Sequence, residues 1–276
     1  MKISKILVPV DFSTSSDRAI QVALLLAGKS NAELTILHIN GLPAGGDAMF
    51  FVNAEMLDKI EQEAREDFNE LLDRIPSLKK HPHEFIQKTG QPVDQIREYI
   101  HSAQPDLVLM GSKGKSKASG ILFGSVASGL INHSDKPLLL IPESAAAVTL
   151  RHMLLATDFD NDSHLVSIKF LSGLAQAFNA RIDILHVVKD EGPADVSFSP
   201  EIVMNWADAM KGIKHEYHFI NHDNVQKGIT HFAYENKVDL LVVLGRSYPF
   251  VERLFHRSLS RKLMYHSGLP LLILPS

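Results

Sequence analysis

The sequence contains no cysteine, so the chain has neither disulfides nor thiolate metal ligands. This absence fits a reducing compartment such as the cytosol. No uncharged apolar run reaches the roughly 18 residues of a transmembrane helix, and the N-terminal apolar run is too short for a signal peptide. The net charge is −4, whereas nucleic-acid-binding domains typically have an excess of basic residues. These absences predict a cytoplasmic protein that binds neither membranes nor nucleic acids.

What is present is typical of a folded α/β protein. Apolar residues make up 45% of the chain and charged residues 22%, and 276 residues are enough for two domains of ordinary size. From residue 3 to residue 142, short apolar runs alternate with runs of helical periodicity. This alternation predicts a parallel sheet that helices cover on both faces.

Four landmarks of the first half recur in the second half in the same order. The matching segments are 5–12 and 151–159, 34–39 and 182–187, 106–111 and 239–245, and 135–142 and 268–275. A repeat of this length indicates tandem domains rather than a solenoid. Residues 143–149 are small and polar and have the composition of a linker. The predicted domains are residues 1–143 and 150–276.

The most informative segment is residues 111–125, GSKGKSKASGILFGS, between a predicted strand and a predicted helix. Gly111, Gly114 and Gly124 could adopt backbone angles that a Cβ forbids, and they would let a ligand approach the main chain. Ser125 could cap the following helix, whose first N–H groups attract anions. The segment therefore fits a phosphate-binding loop, and it equally fits a plain glycine-rich connector.

The spacing excludes two other phosphate-binding motifs. A P-loop would need a glycine five residues before Gly114, where Leu109 stands. A dinucleotide fingerprint would need glycines directly after the first strand, and residues 8–16 contain none.

The remaining pattern, Gly111-x2-Gly114-x9-Gly124-Ser125, is similar to the ATP-binding signature of the universal stress protein family. Both halves also resemble that family in a first strand followed by an acid, a Leu-His-Ile or Leu-His-Val strand, and a closing strand that ends in proline. The resemblance covers nearly the whole chain and implies a tandem member. It implies two open, twisted, parallel five-stranded sheets of order 3-2-1-4-5 with helices on both faces. The two domains would be related by a pseudo-two-fold axis and would pair within the chain through their fifth strands.

In a sheet of that order, the ligand crevice lies between strands one and four at their carboxyl ends. The resemblance implies that ATP, with or without Mg²⁺, binds there in the N-terminal half. It places Pro9, Val10 and Asp11 at the adenosine end, Ile39 beside adenine, Met110, Gly111 and Gly114 beside ribose and phosphate, and Gly124, Ser125 and Val126 at the phosphates.

Two features of this predicted site have alternative interpretations. Asp11 could instead be a helix-capping carboxylate. Lys113, Lys115 and Lys117 could screen phosphates, or they could simply be solvated.

The second half departs from the signature. Gly245 is retained, but Tyr248 stands where Gly114 would be and Arg257 where Gly124 would be. A side chain at position 257 would occupy space that a phosphate needs. Asp158 could remain as a structural cap. The sequence therefore predicts one ATP site, in the first half.

No catalytic or metal-binding residue is assigned from the sequence. His38 and His186 are interpreted as packed or capping histidines. The densest histidine groups are 81–83 and 215–222, and residues 215 and 218 would point to opposite faces of a strand.

The predicted function is an ATP-binding stress-response or signalling module that acts on an unidentified protein partner. A further homodimer is left open. Two alternatives are a slow ATP-hydrolysing enzyme of the same nucleotide-binding superfamily and a ligand-free structural dimer module.

Overall fold

The computed structural model describes residues 3–41, 53–114, 123–145, 148–157, 159, 164–188, 200–244 and 268–275. The chain divides into two compact units, one of residues 3–136 and one built mainly of residues 137–276. Strands and helices alternate in both, which confirms the predicted α/β class with a mostly parallel sheet. The predicted domain limits, 1–143 and 150–276, stay predictions.

The strands of the first unit are parallel and lie in the order β3-β2-β1-β4. All five residues of β4 are buried, as expected for a strand that is covered on both faces. The sequence order reverses between β1 and β4, where Ile6 pairs with Leu107. The elements are β1 Lys5–Val10, α1 Thr14–Ser30, β2 Glu33–Gly41, α2 Ala54–Arg74, α3 Pro76–Lys79, β3 His83–Gly90, α4 Pro92–Ala103, β4 Leu107–Gly111 and α5 Ser125–His133.

Helix α1 begins directly after the turn that follows β1. Ser13 is its N-cap and accepts a hydrogen bond from the backbone N–H of Ser16. The helix does not end at Gly28. It continues to Ser30, because Asn31 adopts the left-handed conformation that ends the helix.

The second unit contains the remaining strands in the order β5-β10-β9-β6-β7-β8. Strands β6 to β10 follow the predicted 3-2-1-4-5 order. Strand β5, LLLI, pairs antiparallel with β10, LLIL, as predicted for the two fifth strands, and Leu139 lies opposite Leu272. The elements are β5 Leu138–Ile141, β6 His152–Ala156, α6 Leu165–Phe178, β7 Arg181–Val188, α7 Pro200–Ala209, β8 Lys214–Asn221, α8 Val225–Glu235, β9 Leu240–Leu244 and β10 Leu271–Leu274.

The same histidine contact occurs in both halves. The Nδ1 atom of His38 lies 2.9 Å from the carbonyl oxygen of Val10, and that of His186 lies 3.0 Å from the carbonyl oxygen of Thr157. A carbonyl only accepts, so Nδ1 donates in both cases. Each histidine thus binds the carboxyl end of the first strand of its half, which confirms that both are packed, capping histidines.

Across the described ranges, no helix is long and apolar enough to cross a membrane.

Candidate functional site

A crevice opens at the carboxyl ends of β1 and β4, where the strand order of the first unit reverses. Its empty volume is about 540 Å³, including the part open to solvent. Eight of the ten predicted site residues line it, and Gly124 and Ser125 do not. The eight are Pro9, Val10, Asp11, Ile39, Met110, Gly111, Gly114 and Val126.

The carboxylate of Asp11 has a structural partner as well as a place in the crevice. Its Oδ1 accepts hydrogen bonds from the backbone N–H and the hydroxyl of Ser13, at 3.1 and 2.6 Å. Its Oδ2 lies 2.6 Å from the position that a Cβ on Gly114 would occupy. Asp11 therefore fixes the turn before α1, although Ser13 and not Asp11 is the N-cap.

Gly111 and Gly114 are needed for close approach rather than for unusual backbone angles. Neither has a positive φ, nor has Gly124, whose φ is −63°. The expectation of special backbone angles is therefore wrong at all three. A Cβ on Gly111 would lie 2.8 Å from the backbone carbonyl carbon of Ser15. Gly111 thus lets β4 pack against the first turn of α1, while Gly114 leaves room for the Asp11 carboxylate.

The prediction that Ser125 caps α5 is also wrong. Gly124 is the N-cap residue, because its carbonyl accepts the first helical hydrogen bond, from Ser128 N–H at 2.9 Å, and Ser125 is the first helical residue. In the described part of the chain no side chain caps this N-terminus. The first N–H groups of a helix have no intrahelical partner. Gly124 itself donates its N–H to the carbonyl of Ser112 at 2.8 Å, which brings the start of α5 back to the end of β4.

Five crevice residues were not among the predicted site residues: Ser16, Leu37, Pro92, Ile96 and Lys113. Two could have been found from periodicity alone. Leu37 lies two residues before Ile39 on the same strand and therefore faces the same side. Ile96 lies four residues after Pro92 on α4, so the two share a helix face. Lys113, one of the three lysines that could screen phosphates, does line the crevice.

Several sequence predictions concern residues outside the described ranges. They are Lys115 and Lys117 in the first half, and Asp158, Gly245, Tyr248 and Arg257 in the second. The loss of the signature in the second half therefore stays a prediction.

Three histidines of the two histidine-dense segments, His81, His83 and His215, each contact a backbone carbonyl. The Nε2 atom of His81 lies 3.2 Å from the carbonyl of Ala32, and the Nδ1 atom of His83 lies 2.8 Å from the carbonyl of His81. On β8, the Nδ1 atom of His215 lies 2.9 Å from the carbonyl of Ile213. His218 instead lies beside acidic residues, with its Nε2 atom 3.5 Å from Asp183 Oδ1 and 3.9 Å from Glu216 Oε2.

The model of the universal stress protein family matches the chain twice, over residues 2–142 and 149–275. The chain belongs to the universal stress protein family. A universal stress protein of Methanocaldococcus jannaschii is 30% identical over 143 residues, which are 50% of this chain and 81% of that protein. A universal stress protein of Bacillus subtilis is 26% identical over 145 residues, which are 50% of this chain and 98% of that protein.

The likeness extends to a solved structure over the full length. The crystal structure of a universal stress protein from Archaeoglobus fulgidus has a TM-score of 0.72 at 18% identity, covering 100% of this chain and 99% of that one. At this identity the match shows a shared fold. The two family matches agree with the sequence repeat in identifying a tandem universal stress protein.

Proposed function

We propose that this universal stress protein binds ATP in the crevice of its first unit and acts as a nucleotide-dependent stress-response or signalling module. The observation that supports this most strongly is the convergence of Asp11, after β1, with Gly111 and Gly114, after β4. These residues are a hundred positions apart in sequence. They meet where the strand order reverses, which is where open α/β sheets bind ligands.

The apolar part of the crevice suits a purine base. Val10, Leu37, Ile39 and Met110 line it, and Leu37 is fully buried. Apolar walls with a few polar groups are typical of small-molecule sites. Asp11 supplies a carboxylate acceptor at this end for the amino group of adenine or a ribose hydroxyl.

The glycine-rich part of the crevice suits phosphates. Lys113 and Gly114 line it, and the N-terminus of α5 begins at the N-cap Gly124, beside the backbone of Gly114. A helix N-terminus and a lysine both favour an anion. Val126, in the first turn of α5, also lines the crevice, so the helix start and the ligand space are contiguous.

The experiment that tests this proposal is calorimetric titration of the full chain with ATP, ADP and AMP. The wild type is compared with Gly124→Arg, which places in the first half the residue that the second half carries. A Cβ at position 124 would make ordinary contacts, the nearest at 3.4 Å to Gly114 N, so the backbone tolerates the change. Gly28→Arg is the matched control, because Gly28 is exposed and a Cβ there meets nothing within 4 Å.

We expect one ATP per chain, at least tenfold weaker binding in Gly124→Arg and unchanged binding in Gly28→Arg. A stoichiometry of two, or binding indifferent to Gly124→Arg, would contradict the single-site proposal. Phosphate release, followed in parallel, separates a nucleotide-binding module from the slow-hydrolysis alternative. If no nucleotide binds, the remaining hypothesis is the ligand-free structural dimer module.

A further inference from the structure

A buried carboxylate lies near the amino end of β7 in the second unit, away from the carboxyl ends of the strands. Asp183 on β7 is only 3% exposed. In the register of the sheet, Asp183 lies opposite Glu216 of β8, and Arg181 lies opposite His152 of β6. His218, two residues after Glu216, is on the same face. Three neighbouring strands therefore contribute polar side chains to one small region.

Hydrogen bonding determines the protonation of the histidine on β6. The Nη2 atom of Arg181 lies 3.3 Å from Nδ1 of His152, and a guanidinium can only donate, so Nδ1 accepts. The Nε2 atom of His152 therefore carries the proton and donates it to Asp183 Oδ2 at 2.6 Å. His152 thus donates through Nε2 and holds one oxygen of Asp183 in place.

The other oxygen of Asp183 faces a second histidine without a hydrogen bond between them. The Nε2 atom of His218 is 3.5 Å from Asp183 Oδ1 and 3.9 Å from Glu216 Oε2. This nitrogen is buried and has no hydrogen-bond partner among the residues that the structure describes. The ring packs at 4.8 Å from that of Phe232 on α8. A buried nitrogen without a hydrogen-bond partner and two carboxylate oxygens thus lie close together.

We propose that Asp183 Oδ1, Glu216 Oε2 and His218 Nε2 form a binding site for a divalent transition metal ion of the zinc class. All three atoms lie within 4.8 Å of one another. Two ligand atoms that are each about 2.1 Å from a tetrahedral zinc lie about 3.4 Å from one another. The Nε2 atom of His218 is 3.5 Å from the Asp183 oxygen and 3.9 Å from the Glu216 oxygen, so the side chains need to move little to bind the ion. The side chain of Glu216 is 75% exposed, which gives the ion a route of entry and a water for the fourth position.

The surrounding residues fit this assignment. A ligand that is itself hydrogen-bonded by an outer group is typical of metal sites, and His152 has this positioning role toward Asp183. One imidazole with two carboxylates favours zinc or manganese over magnesium and calcium, which bind mainly oxygen. The ion would join β7 to β8 and neutralise a buried charge, independently of any nucleotide in the first unit.

The test is calorimetric titration of the metal-stripped full chain with zinc chloride, with magnesium chloride as the comparison. We expect one zinc per chain in the tightest class and much weaker binding of magnesium. His218→Gln and Glu216→Gln should each lower the zinc affinity at least tenfold. Glu216→Gln changes a mainly exposed side chain and is expected to fold normally.

His215→Gln is the matched control, because His215 is on the same strand but on the opposite face. It should leave the tight site intact. Cobalt substitution adds a spectroscopic measurement, in which the wild type should show the visible bands of a four-coordinate ion and His218→Gln should lose them. Absence of tight zinc binding, or equal losses in His215→Gln and His218→Gln, would overturn the proposal. With fourteen histidines in the chain, the latter result would indicate adventitious surface binding.

Discussion

The carboxylate of Asp11 closely approaches Gly114, with Oδ2 2.6 Å from the position that a Cβ on Gly114 would occupy. The same carboxylate accepts two hydrogen bonds from Ser13 through Oδ1. One side chain thus connects the end of β1, the start of α1 and the glycine-rich segment after β4. This contact explains why an acid after the first strand and a glycine a hundred residues later occur together.

The Asp11–Ser13 contact predicts a measurable stability difference between two variants. Asp11→Ala removes the acceptor for two hydrogen bonds and should lower the free energy of unfolding by about 1–3 kcal/mol. Asp11→Asn retains an acceptor oxygen and should lose less. Chemical denaturation of both variants beside the wild type measures the difference. Equal stability of the wild type and Asp11→Ala would show that this contact does not stabilise the fold.

Tyr217 predicts a loss of stability in alkali. Burial raises the pKa of its phenol above the ordinary value of 10.0. Between the unfolded pKa and the raised folded pKa, the folded state holds more protons. The contribution to stability is therefore complete below about pH 10 and is lost as the pH rises through the folded pKa. Denaturation curves are measured at about pH 9 and at about pH 11. The free energy of unfolding should fall less between these two pH values in Tyr217→Phe than in the wild type.

Tyr217→Phe should also retain full stability at neutral pH. The hydroxyl is buried without a hydrogen-bond partner in the described structure, so its removal leaves no group unsatisfied. We expect an unfolding free energy equal to that of the wild type or up to about 1 kcal/mol higher. A clear destabilisation at neutral pH would mean that the hydroxyl has a partner.

Gly268, just before β10, lies close to the segment after β5, and substitutions there can test this contact. Its φ is +62°, and a Cβ there would lie 2.6 Å from the carbonyl oxygen of Ser144. Gly268→Ala therefore combines backbone strain with a clash and should cost about 2–4 kcal/mol. Gly212→Ala separates the two effects, since Gly212 has φ +83° but a Cβ there meets nothing within 4 Å. Its cost should be about 1–2 kcal/mol, and equal losses in the two variants would contradict the contact with Ser144.

The strands and most of the crevice could be predicted because their sequence signals are local. Short apolar runs gave β1 and β4, and the strand-order rule brought Asp11 and Gly111 together. The resemblance to the universal stress protein family, and not a local signal, implied that β5 pairs with β10. The strands LLLI and LLIL are fully apolar, so each would be an exposed hydrophobic edge strand if no other strand paired with it. Their antiparallel pairing removes that exposed edge.

Other features could not be predicted because they depend on contacts between distant segments. The role of Gly111 is determined by Ser15, almost a hundred residues earlier, so the glycine pattern alone suggested backbone freedom instead. The cluster around Asp183 draws on three strands and thirty or more residues of sequence on either side. The histidine group at residues 215–222 therefore gave no sign of Asp183, which the pairing of β7 with β8 brings beside His218.

The central claim is that ATP binds beside Asp11 and Gly114, and Gly114→Ala tests it most directly. Asp11 Oδ1 is held by two hydrogen bonds, so a methyl group at position 114 must displace Oδ2 or the segment itself. The matched control is Gly28→Ala, where a Cβ meets nothing and alanine favours the helix. ATP titration should show at least tenfold weaker binding in Gly114→Ala and wild-type affinity in Gly28→Ala. Wild-type ATP affinity in Gly114→Ala would contradict the account and place the nucleotide elsewhere.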